Sequence, residues 1–521
     1  MLDVSTGRYQ QLLERLPKGG RERLVSSLGR TQAGTSIDLR SPLFAKDRSR
    51  DSIAEEMVAK VGFTEFERLT EIEKHELDKW GPFSKVPPFP ERRESLKEYW
   101  SQGGDPDLDS LSKAEERVKS LIRAGSLRPT ALSTARDRLP SNTSLGAPWF
   151  TSDRKYVGDY YQRAAQAKDP EDCYPCFILQ RGTPMSRTET KVRNVWAIDH
   201  MEPILGGTVM YPIMESLRLL PGFSAWVHPN NVDKEATRIL QKAGGRRILS
   251  SDYEHFDASV PRFLLDSADR IFKYWFVASV HGRIDLLGEI FATVPIIVPY
   301  EIWSDRNGGI PSGSIFTSVK GTIVNLLAGL YYGYRSGTEV LDFMCLGDDS
   351  VFLYDDDSVI DNVSELASEL GLTMNQDKQY VDTESLHYLQ RWHSSKYVIN
   401  GICKGVHSPY RTMNGMLSYE YWREFGGNRK RFFDTTRWIT QSEGCVNHPF
   451  FEERWVPFWY SGDSNLTSGV DPYTSMQLAG GPSQVREDLK IASYPFNQRD
   501  PDKLGEFETV RVVRILQRSA S

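Results

Sequence analysis

The sequence predicts an α+β fold, a sheet with helices packed beneath it, and three stretches carry that reading. Residues 247–251 form a short strand that runs into Asp252. Residues 340–354 read as strand, turn and strand, with Gly347-Asp348 at the bend, where turn chemistry favours glycine and aspartate. Residues 358–370 carry Val359, Ile360, Val363, Leu366, Ala367 and Leu370 at helical spacing, and Gly371 is placed to close that helix in a left-handed conformation. The order strand, helix, strand–turn–strand, helix, strand builds a layered sheet of this kind.

The remaining elements follow in chain order. The first 140 residues are rich in charge, with basic stretches at 18–30 and 46–50. Residues 52–66 space their apolar side chains by three and four, as a helix does. Ser101-Gln-Gly-Gly-Asp-Pro-Asp107 is a loop. Residues 264–278 form an apolar helix with its polar residues on one side. Pro311-Ser312-Gly313-Ser314 is a tight turn opening a long apolar helix over 315–332, with Ser312 or Ser314 as its cap. The chain has no internal repeat and no long low-complexity tract.

Composition bounds the function. A length of 521 residues suits roughly three or four domain-sized units. Hydrophobic residues at 39% and aromatics at 11% supply a large core and exclude a disordered chain. No stretch approaches the roughly 20 apolar residues that span a bilayer. Met1-Leu2-Asp3-Val4-Ser5-Thr6 lacks the basic and then apolar pattern of a secretory signal, so no membrane partner and no secretion are expected. Five cysteines over this length suit a reducing compartment. Cys173-Tyr-Pro-Cys176 is half of a zinc pattern, with no second CxxC or histidine pair to complete it, which favours two unpaired thiols. A net charge of −6, from 64 basic and 70 acidic residues, argues against a protein that coats nucleic acid but leaves room for an internal basic channel.

The chemistry lies in carboxylates. Gly347-Asp348-Asp349 puts two in one tight turn, and Asp252 and Asp257 add two from a separate strand end. Such a cage suits divalent cations, because Mg²⁺ demands hard oxygen ligands. Two ions about 3.5–4 Å apart stabilise both the attacking and the leaving oxygen of a phosphoryl displacement. Alone, the triplet arises by composition in roughly one such chain in ten, and Asp252 or Asp257 alone reads as a solvated loop carboxylate. Converging carboxylates repel one another, and a divalent metal removes that cost. Arg181, Arg187, Lys191 and Arg193 form a basic cluster broken by the single acid Glu189. It is either a solvated basic face or a phosphate site, where arginine offers forked hydrogen bonds. Beyond residue 395, Lys396, Lys404, Arg411, Arg423, Arg429, Lys430, Arg431 and Arg437 outnumber the acids, with Tyr and Trp interleaved. A groove for nucleic acid and an ordinary charged helix face both account for that pattern.

Seven segments, in order, resemble the motifs of viral RNA-dependent RNA polymerases. Ser144-Leu-Gly146-Ala-Pro148 resembles motif G, residues 181–193 motif F, and Asp252-x4-Asp257 motif A. Residues 309–317 resemble motif B, Leu346-Gly347-Asp348-Asp349 motif C, residues 371–378 motif D, and Leu389-Gln390-Arg391-Trp392 motif E. In many positive-strand virus polymerases the motif B Asn lies nine residues after the Ser, a position held here by Gly321. Asn325 lies thirteen after Ser312, one helical turn later and on the same face. That placement resembles picobirnavirus polymerases and, next, partitivirus polymerases.

The resemblance implies a closed right-hand fold with fingers, an antiparallel-sheet palm and a helical thumb. It divides the chain into an N-terminal extension bridging fingers and thumb (1–75), fingers (76–245), palm with motif A (246–262), a fingers insertion (263–298), palm with motifs B to E (299–394), and thumb with a C-terminal segment (395–521). It implies replication and transcription of a double-stranded RNA genome by nucleotidyl transfer, with Mg²⁺ as cofactor and Mn²⁺ also able to support activity. Asp252 and Asp348 would hold the metals, Asp349 would be a weaker or outer ligand, and Lys378 would donate a proton to pyrophosphate. Arg181, Arg187, Lys191 and Arg193 would bind the triphosphate. Asp257, Ser312, Thr317 and Asn325 would contact the nucleotide and read its sugar. Ser144, Gly146, Pro148, Gly313, Gln390 and Arg391 would contact RNA. The expected partners are template and nascent RNA, ribonucleoside triphosphates and viral capsid protein, for a monomer working in the virion interior and host cytoplasm. A reverse transcriptase shares the palm, but Leu346-Gly347 before the aspartates and Asp257 near the sugar favour RNA synthesis. A non-catalytic RNA-binding virion protein would have no need of all three metal carboxylates.

Overall fold

The computed structural model describes residues 1–141, 143–375, 379–421, 424–489 and 499–520, so Lys378 and Arg423 lie outside the described residues. Nine strands form the two sheets that position the site: β1 (Asp3–Ser5), β2 (Cys176–Pro184), β3 (Thr190–Ala197), β4 (Ile248–Ser251), β5 (Ile296–Val298), β6 (Glu301–Ser304), β7 (Val340–Leu346), β8 (Asp349–Tyr354) and β9 (Tyr380–Asp382). The four-stranded sheet has the order β7-β8-β4-β9 and is antiparallel throughout. This is the expected palm.

Its central strands are buried on both faces, and the two-residue period of a strand sorts their side chains. Ile248, Met344, Val351 and Leu353 pack with Val232, Ala236 and Ile239 of the helix Pro229–Ala243. Leu249, Phe352 and Tyr354 face the opposite way, into the main core with Ile323 and Leu327 of the helix Thr317–Ser336. That helix lies very close to the sheet at Gly329, where an added Cβ would sit 2.0 Å from the Phe352 ring.

The five-stranded sheet runs β1-β6-β5-β2-β3, antiparallel except for the β2–β5 pair. Strands β2 and β3 make a long hairpin, paired from Phe177–Ala197 out to Pro184–Thr190. Arg92 anchors its base by donating to Asn194 Oδ1 (2.7 Å) and to Gln180.

The C-terminal helices Pro409–Leu417 and Arg429–Ser442 build a second core from Tyr410, Met413, Trp438, Trp455 and Trp459. Leu43, Phe44, Ile53, Met57, Val61 and Trp80 belong to that same core. Trp80 Nε1 donates to the Tyr410 carbonyl (2.8 Å), and the fully buried Glu73 and His448 pair at 2.8 Å. Among the described residues no helix is long and apolar enough to cross a membrane.

Several expected element bounds are corrected. The helix expected over 52–66 is Arg50–Lys60, because Val61 and Phe63 turn into the second core. The helix expected over 264–278 is Arg262–Trp275. The helix over 358–370 begins as a tight 3₁₀ turn, Asp357–Asn362, before Val363–Glu369, with Gly371 following at φ 74°. The long helix expected at 315 starts at Thr317 and has no side-chain cap. Ser312 bonds elsewhere, as described below, and Ser314 Oγ accepts from Phe316 N–H (3.1 Å) just ahead of the helix.

Candidate active site

The strand–turn–strand β7–β8 closes with Leu346 paired to Asp349, leaving Gly347 and Asp348 as a two-residue turn with Gly347 at φ 61°. Strand β4 lies beside β8, and Asp252 follows its last residue, so Asp252, Asp348 and Asp349 all emerge at one sheet end, exposed. The turn is held from beneath by the helix Thr317–Ser336. Gly347 N–H donates to Thr322 Oγ1 (2.8 Å). Asn325 Nδ2 donates to the carbonyls of Gly347 (3.0 Å) and Asp348 (2.9 Å), while its Oδ1 accepts from Tyr253 (3.2 Å) and Ser350 (3.0 Å).

The carboxylates disturb one another. Desolvation inside the cleft, and then the charge of Asp348, pushes Asp257 up to about 7, while Arg193 opposes the shift. Asp349 is raised by the same two causes in the same order and further by Asp252, with Arg193 and Arg411 opposing. Among the described residues no three His, Cys, Asp or Glu side chains converge at one point as a finished metal site. The donor set nevertheless suits Mg²⁺, which binds through one or two carboxylates and completes its shell with waters and substrate phosphates. Asp252, Asp348 and Asp349 are the residues able to hold it.

A cleft of about 1040 Å³ opens over this sheet end. It is lined by Asp252, by Arg181, Lys191 and Arg193 of the β2–β3 hairpin, and by Arg411, Lys430 and Arg437 of the C-terminal helices. Seven lysines and arginines line it against four acids, so basic side chains predominate in this cleft of a chain with negative net charge.

The sequence profile of the viral RNA-dependent RNA polymerases matches residues 126–422, more than half of the chain. The chain belongs to that family. It is an RNA-directed RNA polymerase. It is 26% identical over 506 residues to a potential RNA-dependent RNA polymerase of a human picobirnavirus, covering 92% of this chain and 90% of that one. It is 30% identical over 279 residues to the RNA-directed RNA polymerase of Cryptosporidium parvum virus 1, covering 50% of this chain and 52% of the relative. The fold matches the crystal structure of a human picobirnavirus RNA-dependent RNA polymerase with a TM-score of 0.80 at 21% identity, covering 97% of this chain and 99% of the other. An insertion-loop deletion mutant of such a polymerase matches with a TM-score of 0.83 at 22% identity and the same coverage.

The other expected site residues divide into two groups. Arg181, Lys191, Arg193 and Gln390 reach the polymerase's cleft. Arg187 lies near the hairpin tip and pairs with Asp51. The motif B loop is fastened to β3: Ser312 Oγ donates to the Asn194 carbonyl (3.3 Å) and accepts from Trp196 N–H (3.3 Å), and Thr317 Oγ1 donates to the Pro311 carbonyl (2.8 Å). An added Cβ at Gly313 would lie 1.8 Å from the Trp196 carbonyl, so backbone packing against β3 requires this glycine. Ser144 Oγ accepts from Gly146 N–H (3.2 Å); Gly146 is buried and accepts from Tyr160, while Pro148 is half-buried.

Two expected roles are corrected. Asn325 is buried, with its Nδ2 spent on the carbonyls of the Gly347-Asp348 turn and its Oδ1 on Tyr253 and Ser350, so its amide supports the turn and has no group left over for a sugar. Arg391 is buried and donates to the carbonyls of Gly405 (3.2 Å) and Gly444 (3.1 Å), which ties β-structure to the C-terminal helices instead of meeting RNA. Burial pulls its guanidinium down to about 10.

Two residues were missed from sequence. Gln379 brackets Asp252, accepting from its N–H (2.9 Å) and donating to its carbonyl (2.8 Å). Glu202, fully buried, accepts from Ser314 Oγ (2.5 Å) and Ile315 N–H (3.4 Å) and so holds the motif B loop from its other side. Burial raises its carboxyl to about 7. Gln379 directly follows the motif D lysine, which was a usable signal; Glu202, one of two acids in the apolar helix Met201–Leu217, gave none.

Proposed function

We propose that the polymerase replicates and transcribes a viral double-stranded RNA genome by two-metal nucleotidyl transfer from ribonucleoside triphosphates to an RNA 3′-hydroxyl. The observation that carries this reading is the placement of Asp252, Asp348 and Asp349 at one sheet end, where Asp252 lines a cleft rich in basic side chains. Asp252 and Asp348 would hold Mg²⁺ or Mn²⁺, with Asp349 an outer ligand. Bound there, the metals supply charge neutralisation for the attacking and leaving oxygens. The protein's own share is positioning, since phosphoryl transfer asks little covalent chemistry of side chains. Thr322 and Asn325 fix the turn, Gln379 fixes the backbone of Asp252, and Arg181, Lys191 and Arg193 meet the triphosphate. Asp257 reads the 2′-hydroxyl, and Lys378, outside the described residues, protonates the leaving pyrophosphate. The same reading assigns RNA template and nascent strand to the cleft, capsid protein as a virion partner, and the virion interior and host cytoplasm as the place of work.

The test is incubation of purified protein with an RNA template, four ribonucleotides and Mg²⁺ or Mn²⁺. Template-length RNA should appear, with none when the divalent metal is chelated. Synthesis that persists without a divalent metal, or no synthesis on any primed template, overturns the proposal.

A further inference from the structure

The β2–β3 hairpin carries four cations, and two are held by carboxylates from elsewhere in the chain. Arg187 pairs with Asp51 in the N-terminal segment. Arg181 Nε stands 3.1 Å from Glu420 Oε1, just past the helix Pro409–Leu417. Lys191 and Arg193 make no ion pair among the described residues. Arg181 and Glu420 both line the cleft, beside Lys191, Arg193 and Asp252.

The Arg181–Glu420 pair is not needed to hold the hairpin. Arg92 anchors it from behind, and Thr190 Oγ1 donates to the Pro82 carbonyl (3.3 Å). The pair is also partly open to solvent, with side-chain exposures of 59% and 31%. A bridge of that kind is weak, and a polyanion with several charges displaces it. Carboxylate and phosphate offer a guanidinium the same paired-oxygen acceptor.

We propose that Glu420 is an internal stand-in for the incoming triphosphate. It occupies Arg181 until nucleotide arrives, competes with it, and so sets the affinity for nucleotide and pyrophosphate. The proposal rests on the reading of Arg181 as a triphosphate ligand. Glu420 is a specificity-setting residue that acts through Arg181 and leaves the chemical step alone.

Steady-state incorporation by the full chain on a primed RNA template tests it. Glu420→Gln should lower the nucleotide KM by about two- to fivefold, the range of a surface ion pair, with kcat unchanged. The inhibition constant of inorganic pyrophosphate should fall by the same factor. Glu420→Ala should behave alike, which removes any contribution from the glutamine amide. Arg181→Gln should raise the nucleotide KM, and adding Glu420→Gln to it should change nothing more. If Arg181→Gln raises KM while both Glu420 variants match wild type, the competition is overturned and Arg181 keeps its role. If the Glu420 effect persists in the Arg181→Gln background, Glu420 acts through another group and the proposal fails. If Arg181→Gln leaves KM unmoved, the reading of Arg181 fails and the competition with it.

Discussion

The Gly347-Asp348 turn and the β2–β3 hairpin both act on the site, Arg193 of the hairpin lowering the carboxyls of Asp257 and Asp349 against their burial, and they are built on opposite principles. The turn is fixed by short hydrogen bonds from a buried helix, with Thr322 and Asn325 gripping the backbone of Gly347 and Asp348. Two of the hairpin's cations are held by partly exposed ion pairs to Asp51 and Glu420. A buried, satisfied network resists change, because leaving any member unpaired costs about 1–3 kcal/mol. An exposed pair costs at most about 1 kcal/mol to break. The aspartates therefore sit on a rigid mount, and the hairpin's paired cations are exchangeable.

The largest break comes at the mount. Asp348→Asn keeps size and removes charge, so incorporation should fall by at least about a thousandfold while thermal unfolding stays near wild type. Near-normal rates on a primed template would remove the metal assignment.

Asn325→Leu attacks the same mount from below. It leaves two turn carbonyls and the hydroxyls of Tyr253 and Ser350 without this partner. Stability should drop by about 3 kcal/mol and kcat by about a hundredfold, with the ratio of specificity constants for GTP and dGTP unchanged. A collapse of that ratio at full stability would restore Asn325 as a sugar reader.

Asp257→Ala should show the converse pattern. The GTP to dGTP ratio should erode by about tenfold, because a polar site made for a hydroxyl rejects analogues that lack it. A ratio equal to wild type would move sugar reading elsewhere.

Glu202→Gln is the gentlest probe of the loop between the two regions. The folded pKa of Glu202 is about 7, raised by burial above the carboxylate range. Native protein then binds more protons than unfolded protein across the window up to 7, so ionisation costs stability as pH rises. Glutamine removes that slope. Between pH 6 and pH 8 the stability of Glu202→Gln relative to wild type should rise by about 1 kcal/mol, read as a widening gap in Tm. A pH-independent gap would mean that Glu202 does not titrate between pH 6 and pH 8 in the folded protein.

The parts legible in the sequence are those set by neighbours in the chain. The turn at Gly347-Asp348, the strand ending at Asp252 and the helix closed by Gly371 follow from local turn, strand and cap chemistry, and the structure contains each. Asn325 was misread because its partners Gly347, Asp348, Ser350 and Tyr253 lie 22 to 72 positions away. Arg391 was expected to contact RNA, since nothing local announces the Gly405 and Gly444 carbonyls to which it donates. The ion pairs of Arg181 and Arg187 were equally hidden, because spacing along a chain carries no record of which distant carboxylate arrives beside it.

The second core has a consequence for how this chain is made. Trp80 bonds to a carbonyl 330 positions later, and Leu43, Phe44, Ile53, Met57 and Val61 are buried against the same late-arriving helices. At roughly 5–20 residues added per second, ribosomal synthesis leaves these side chains waiting for about 20–60 s before their partners emerge. Through that interval a set of large apolar groups near the N-terminus has no native surface to cover it. The palm strands emerge before those helices do, so the early segment gains its native cover only when the final third of the chain leaves the ribosome.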